Sequence, residues 1–185
     1  MTDTTSTPIT PATTPASAFP QSLTSSTNPR IHVSLTYSPP SLTTATNAVR
    51  SPHAGGIVTF TGTTRSTFGP PGFERPVATL SYSAYAPLAL RTMLSICEEV
   101  YAKHDLMGIY MVHRLGEVPV GEDSIVIAVS GKHRGECWRA GEEALEECKR
   151  RVEVWKMEVF EDDGEGVWRA NRDGKVGMRV DGTGG

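Results

Sequence analysis

The sequence predicts an α+β fold. Segments with strand-type alternation and segments with helix-type periodicity both occur. They follow one another without strict strand–helix–strand alternation, so a doubly wound parallel sheet does not follow. Size permits one ordinary domain with chain to spare, since 38% of the 185 residues are hydrophobic.

Residues 1–29 are built almost wholly from Thr, Ser, Pro and Ala, with Asp3 the lone charge before Arg30. Such a stretch buries too little to offset its chain entropy and reads as a disordered tail. Ile31, Val33 and Leu35 then alternate with polar residues, a half-buried strand. Residues 41–50 suit a short helix, and the β-branched run 55–62, bounded by glycines, a strand. The Gly/Pro-rich stretch 66–76 is a loop, and 77–85 alternates again. Pro87 opens a helix to about Lys103, with Leu90, Met93, Leu94, Cys97, Val100 and Tyr101 at helical spacing. Strands follow near 108–114 and 123–130. A second long helix runs from Gly135 to Arg151, its apolar face expected at Trp138, Gly141, Leu145, Cys148 and Val152. The strand 152–160 places Val154, Lys156 and Glu158 on one side and Trp155, Met157 and Val159 on the other. The folded unit is thus expected over 30–172, followed by a flexible Gly-rich tail, 173–185.

Composition excludes several classes. The 18 basic and 21 acidic residues leave a net charge of -3, not the footprint of a nucleic-acid binder. No apolar run reaches the ~20 residues of a membrane helix. Three cysteines without a CxxC pair make neither a disulfide scaffold nor a zinc site. A cytoplasmic protein in a reducing compartment is expected, with no secretory signal at the start.

Four features suggest chemistry. Gly131-Lys132-His133-Arg134 links a buried strand to the second long helix, where N–H groups and basic side chains suit a phosphate; a solvated basic turn has the same sequence. Lys149 falls at the edge of that helix's apolar face, either lying along the boundary or entering a cleft. Lys156 interrupts an apolar strand seven residues later. Together the two lysines suit proton transfer or adduct formation at one site, although each alone also fits a structural role. Arg65 closes a strand before a Gly/Pro loop, as an anion clamp would. His113-Arg114 either joins this basic set or pairs with Glu117. Cys97 and Cys148 read as small core residues, and Cys137, at the helix start, has no Cys–His–acid setting.

Taken in order, GGIVTFTGTTR (55–65), LSYSAY (80–85), HRLGEVPVGEDSIVIAVSGKHR (113–134), ECKRR (147–151), VWKMEVF (154–160) and VWRAN (167–171) resemble the large, catalytic subunit of molybdopterin synthase. The resemblance implies an α/β hammerhead with an additional antiparallel β subdomain. It implies a sulfurtransferase that converts cyclic pyranopterin monophosphate to molybdopterin. The sulfur would come from the C-terminal glycine thiocarboxylate of a small ubiquitin-like subunit. Two copies of the large subunit would form the centre of a heterotetramer, and no metal or other cofactor is called for.

By position, Lys149 matches the family lysine beside the inserted glycine tail and Lys156 the second active-site lysine. His133 and Arg134 match the pocket for the pterin phosphate. Arg65, with Thr63 and Thr64, matches a substrate-contacting segment that belongs to the same subunit or reaches across the dimer. Met157 and Glu158 extend the pocket. Two features depart from the pattern: Arg151-Val152-Glu153 stands where the family often has a proline, and the loop after Arg65 is longer, with Pro70-Pro71. A non-catalytic module that keeps the basic cleft is the rival reading. Gly184-Gly185 also ends the sulfur-carrier partner, but the chain before it is not ubiquitin-like.

Overall fold

The structure is a computed structural model and describes residues 18–162 and the strand 166–170. Residues 1–17 and 173–185, read above as tails, lie outside the described residues. Strands β1 (Gln21–Thr24), β2 (Ile31–Thr36), β6 (Gly108–Arg114), β8 (Asp123–Gly131) and β3 (Gly56–Thr63) form one sheet in that order. Only β2 and β6 pair in parallel; the other neighbours are antiparallel. The second sheet is antiparallel: β5 (Arg75–Ala84) pairs with β9 (Val154–Phe160), β4 (Thr67–Phe68) and β7 (Gly116–Pro119), and β9 also pairs with β10 (Gly166–Ala170).

The first sheet is covered on both faces. Helices α2 (Ala86–Lys103) and α3 (Arg134–Arg151) pack on one side, over Ile109, Met111, Ile127 and Val129. The short helix α1 (Leu42–Ala48), capped by the Ser41 hydroxyl, covers Val112, Val126 and Ala128 on the other. This is why β8 is a nearly unbroken apolar run: a strand buried on both faces has no polar side to show. No helix among the described residues is long and apolar enough to cross a membrane.

Three expectations change. The N-terminal stretch is not wholly outside the fold, because Gln21–Thr24 pair with β2 along its free edge. Trp138 does not lie on the buried face of α3; it is 64% exposed. Gly141, Cys148 and Val152 are buried as expected, and Cys137, Ala140 and Ala144 complete the face with small side chains that let α3 approach Val58 and Val129 closely. Arg114 pairs with Glu122 at 2.5 Å, not with Glu117.

Candidate active site

The second sheet and the C-terminal end of α3 enclose a cleft of about 560 Å³. Each cationic side chain reaches it for a local reason. At the end of β3 the ladder with β8 shifts register between Gly62 and Thr63. A Cβ on Gly62 would stand 2.7 Å from Ile125 Cγ2, so the close approach requires glycine. Past this irregularity, Thr64 is buried, its hydroxyl donating to the Val118 carbonyl at 3.1 Å and its amide to Glu122 at 3.1 Å. That anchor leaves Thr63 and Arg65, its two neighbours, on the cleft wall.

Lys149 enters from the last turn of α3, where cations complement the helix dipole. The chain leaves α3 at Val152, whose amide donates to the Cys148 carbonyl at 3.0 Å. Thr92 of α2 holds the next residue, Glu153, by a 3.2 Å hydrogen bond. Lys156 then stands on β9 opposite Tyr82 of β5, on the inner face with Glu158. Its ammonium is 3.4 Å from Glu158 Oε1, and the carboxylate is only 1% exposed. A buried carboxylate is tolerable where a cation stands this close.

Beside Lys156 the cleft carries groups that the sequence did not single out as a set. Tyr82 and His113 meet edge to face, centroids 4.9 Å apart, and join the two sheets at the cleft. The His113 Nδ1–H donates to the Arg114 carbonyl at 2.8 Å. Burial pushes this imidazole down to about 4, against the weaker opposing effect of that hydrogen bond, so it is neutral at physiological pH. Cys148 also lines the cleft, but burial pushes its thiol up to about 12, with nearby Lys149 acting the other way. Burial raises Cys97 and Cys137 too. None of the three offers a ready thiolate nucleophile.

One chain therefore brings together Thr63, Arg65, Lys149, Lys156 and Glu158. It does not bring in the rest of the expected set. The Thr64 side chain serves the scaffold, and Met157 is not on the cleft wall with its neighbours Lys156 and Glu158. His133 and Arg134 are exposed at the opposite end of α3, roughly 22 Å along the helix from Lys149 at 1.5 Å per residue. There a side chain at Gly55 would meet the Lys132 carbonyl, and the Gly55 amide donates to the Gly131 carbonyl at 3.0 Å.

Fold and cleft together define an α+β protein whose pocket is lined by three cations, one of them paired with a buried carboxylate, suited to an anionic ligand and to acid–base chemistry. The family model of the MoaE protein matches residues 35–151. The molybdopterin synthase catalytic subunit of Neurospora crassa is 57% identical over 167 residues, 90% of this chain and 79% of that protein. Its counterpart in Pyricularia oryzae is 60% identical over 150 residues, 81% and 80% of the two chains. Among solved structures, molybdopterin synthase from Staphylococcus aureus superposes with a TM-score of 0.66 at 29% identity, covering 73% of this chain and 94% of that one. The chain belongs to the MoaE family, that of molybdopterin synthase catalytic subunits.

Proposed function

We propose that this chain is the catalytic subunit of a molybdopterin synthase. It converts cyclic pyranopterin monophosphate to molybdopterin, building the dithiolene with sulfur from the C-terminal thiocarboxylate of a small ubiquitin-like subunit. The observation that carries this reading is that Arg65, Lys149 and Lys156 line one cleft, with Glu158 beside Lys156. A thiocarboxylate and a phosphorylated pterin are both anions, and a cleft lined by three cationic side chains attracts both. Once the carrier's sulfur is bonded to the pterin, water adds to the acyl carbon and negative charge develops on the acyl oxygen, where Lys149 supplies the compensating cation. Collapse then breaks the acyl–sulfur bond, leaving the sulfur on the pterin and a carboxylate on the carrier. Lys156, with Glu158 beside it, serves the pterin side, where protons must be moved.

His133 and Arg134 cannot reach this cleft from their own chain. Their role as phosphate ligands requires a second copy, which agrees with a central homodimer: each copy supplies the helix start to the other's cleft.

The test is reconstituted turnover with cyclic pyranopterin monophosphate and a thiocarboxylated carrier subunit, the product being followed by mass. The expected product gains two sulfurs. Lys149→Ala should lower turnover by about 100-fold or more, the scale of losing a group that stabilises developing charge, with unchanged circular dichroism. Full activity in that variant would remove Lys149 from the mechanism. Tight carrier binding without sulfur gain, by the unaltered protein, would identify a binding module instead.

A further inference from the structure

The Lys156 ammonium is flanked by two groups. One is the Glu158 carboxylate, 3.4 Å away. The other is the ring of Phe68, whose centroid lies 5.9 Å from Nζ. Phe68 sits in the Gly/Pro-rich loop, on the two-residue strand β4, where it pairs with Arg75 of β5. Its ring leans on Phe160 of β9, centroids 6.5 Å apart and planes tilted by 50°. The Arg75 guanidinium lies 3.8 Å from the Phe160 ring centroid and donates two hydrogen bonds to Asp162, at 3.1 and 2.5 Å. A continuous series of contacts thus runs from Asp162 through Arg75, Phe160 and Phe68 to Lys156.

We propose that Phe68 is a positioning residue for Lys156, its aromatic ring holding the ammonium at its working place in the cleft opposite Glu158. The proposal rests on Lys156 acting as read above. A ring attracts a cation through its quadrupole as well as by contact, and the attraction grows where water is excluded. A lysine has four methylenes and much rotamer freedom, so a restraint on each side of the ammonium narrows where it can stand. The Gly/Pro loop gains little from the ring itself: Phe68 is only half-buried and its strand is two residues long. The ring does reach the Lys156 ammonium and the stack that fixes the loop's base.

The experiment compares Phe68→Leu and Phe68→Tyr in the same turnover assay, with Lys156→Ala beside them. Leu keeps apolar bulk and removes the ring; Tyr keeps the ring. The expected result is a fall in kcat of about 3- to 10-fold for Phe68→Leu, the scale of one cation–π contact. KM for the carrier subunit should be little changed, and Phe68→Tyr should recover most of the loss. Both variants should melt close to the unaltered protein. Normal turnover in Phe68→Leu, or equal loss in the Leu and Tyr variants, would overturn the proposal. If Lys156→Ala is inactive while Phe68→Leu is normal, only the positioning role falls. If Lys156→Ala retains turnover, the working role of Lys156 falls and this inference with it.

Discussion

Lowering the pH from 6.5 to 4 should destabilise this protein through His113 before general acid unfolding sets in. The imidazole is 1% exposed, wedged against Tyr82, with Nδ1–H committed to the Arg114 carbonyl. Burial takes it from its usual 6.5 to about 4 in the folded chain. Between those values the unfolded chain binds a proton that the folded chain refuses, so stability rises with pH through the window and falls as pH drops. The contribution is fully present above 6.5 and is lost by about pH 4. A displacement of this size corresponds to about 3 kcal/mol, at 1.36 kcal/mol for each tenfold change in proton affinity. Carboxylates add their own acid sensitivity, so the assay must be a difference. Urea unfolding would be followed by circular dichroism at steps from pH 7 to 4, for the unaltered protein and for His113→Phe. Phenylalanine fills the ring's space but cannot take a proton; its lost hydrogen bond gives a constant offset. The unaltered protein should lose about 3 kcal/mol more than the variant across the window. Parallel curves would refute the reasoning, because they would mean that His113 accepts its proton equally in both states.

Two further outcomes follow from the far end of α3. Gly55→Ala would place a Cβ 2.2 Å from the Lys132 carbonyl oxygen, a backbone atom that cannot swing aside. The strain of such overpacking is about 1–3 kcal/mol, a fall in melting temperature of about 2–12 °C for a domain of this size; an unchanged melting curve would show that the turn before His133 yields freely. A mixture of Lys149→Ala and Arg134→Ala chains, each inactive alone, should regain activity. In a mixed two-fold dimer one cleft collects both defects and the other neither, so random pairing restores about a quarter of full activity. No recovery on mixing would separate Arg134 from the partner's cleft.

The long periodic stretches made most of the fold legible. Leu90, Met93, Cys97 and Val100 lie on the buried face of α2, and Lys156 and Glu158 share the inner side of β9, as the alternation implies. What escaped was short or polar. β1 has one leucine among Gln, Ser and Thr, because an edge strand needs only one covered face. β7 is four residues long and ends in proline. Trp138 misled for a different reason: hydrophobicity suggested a large residue on the helix face, whereas close packing against β3 and β8 selects small ones. At the site, Lys149 and Lys156 stand out in the sequence as cations at the edge of or inside apolar elements, and Arg65 as the residue that closes a strand before a Gly/Pro loop. The wall formed by Tyr82 and His113 was not, since they belong to different sheets and their contact exists only once the sheets meet. The separation of His133 and Arg134 from Lys149 follows from helix length alone.

The turn between the two lysines is held by contacts from neighbouring elements. No proline stands at residues 151–153, yet the geometry a proline would impose is present. Val152 has φ -72, within the narrow range to which a proline ring confines that angle, and an extended ψ of 134. Here the conformation is held from outside. The Val152 amide, which a proline would lack, donates to the Cys148 carbonyl, and Thr92 holds Glu153. The Val154 amide returns to the Val152 carbonyl at 2.9 Å and starts β9 at once. Without a proline the unfolded chain keeps more conformational freedom, a cost of roughly 0.4–1 kcal/mol relative to a chain carrying a compatible one. In exchange the turn gains a hydrogen bond that proline cannot make. Lys149 and Lys156 are thereby delivered to the same cleft by contacts among α2, α3 and β9, and α2 becomes part of what positions the site although none of its side chains lines it.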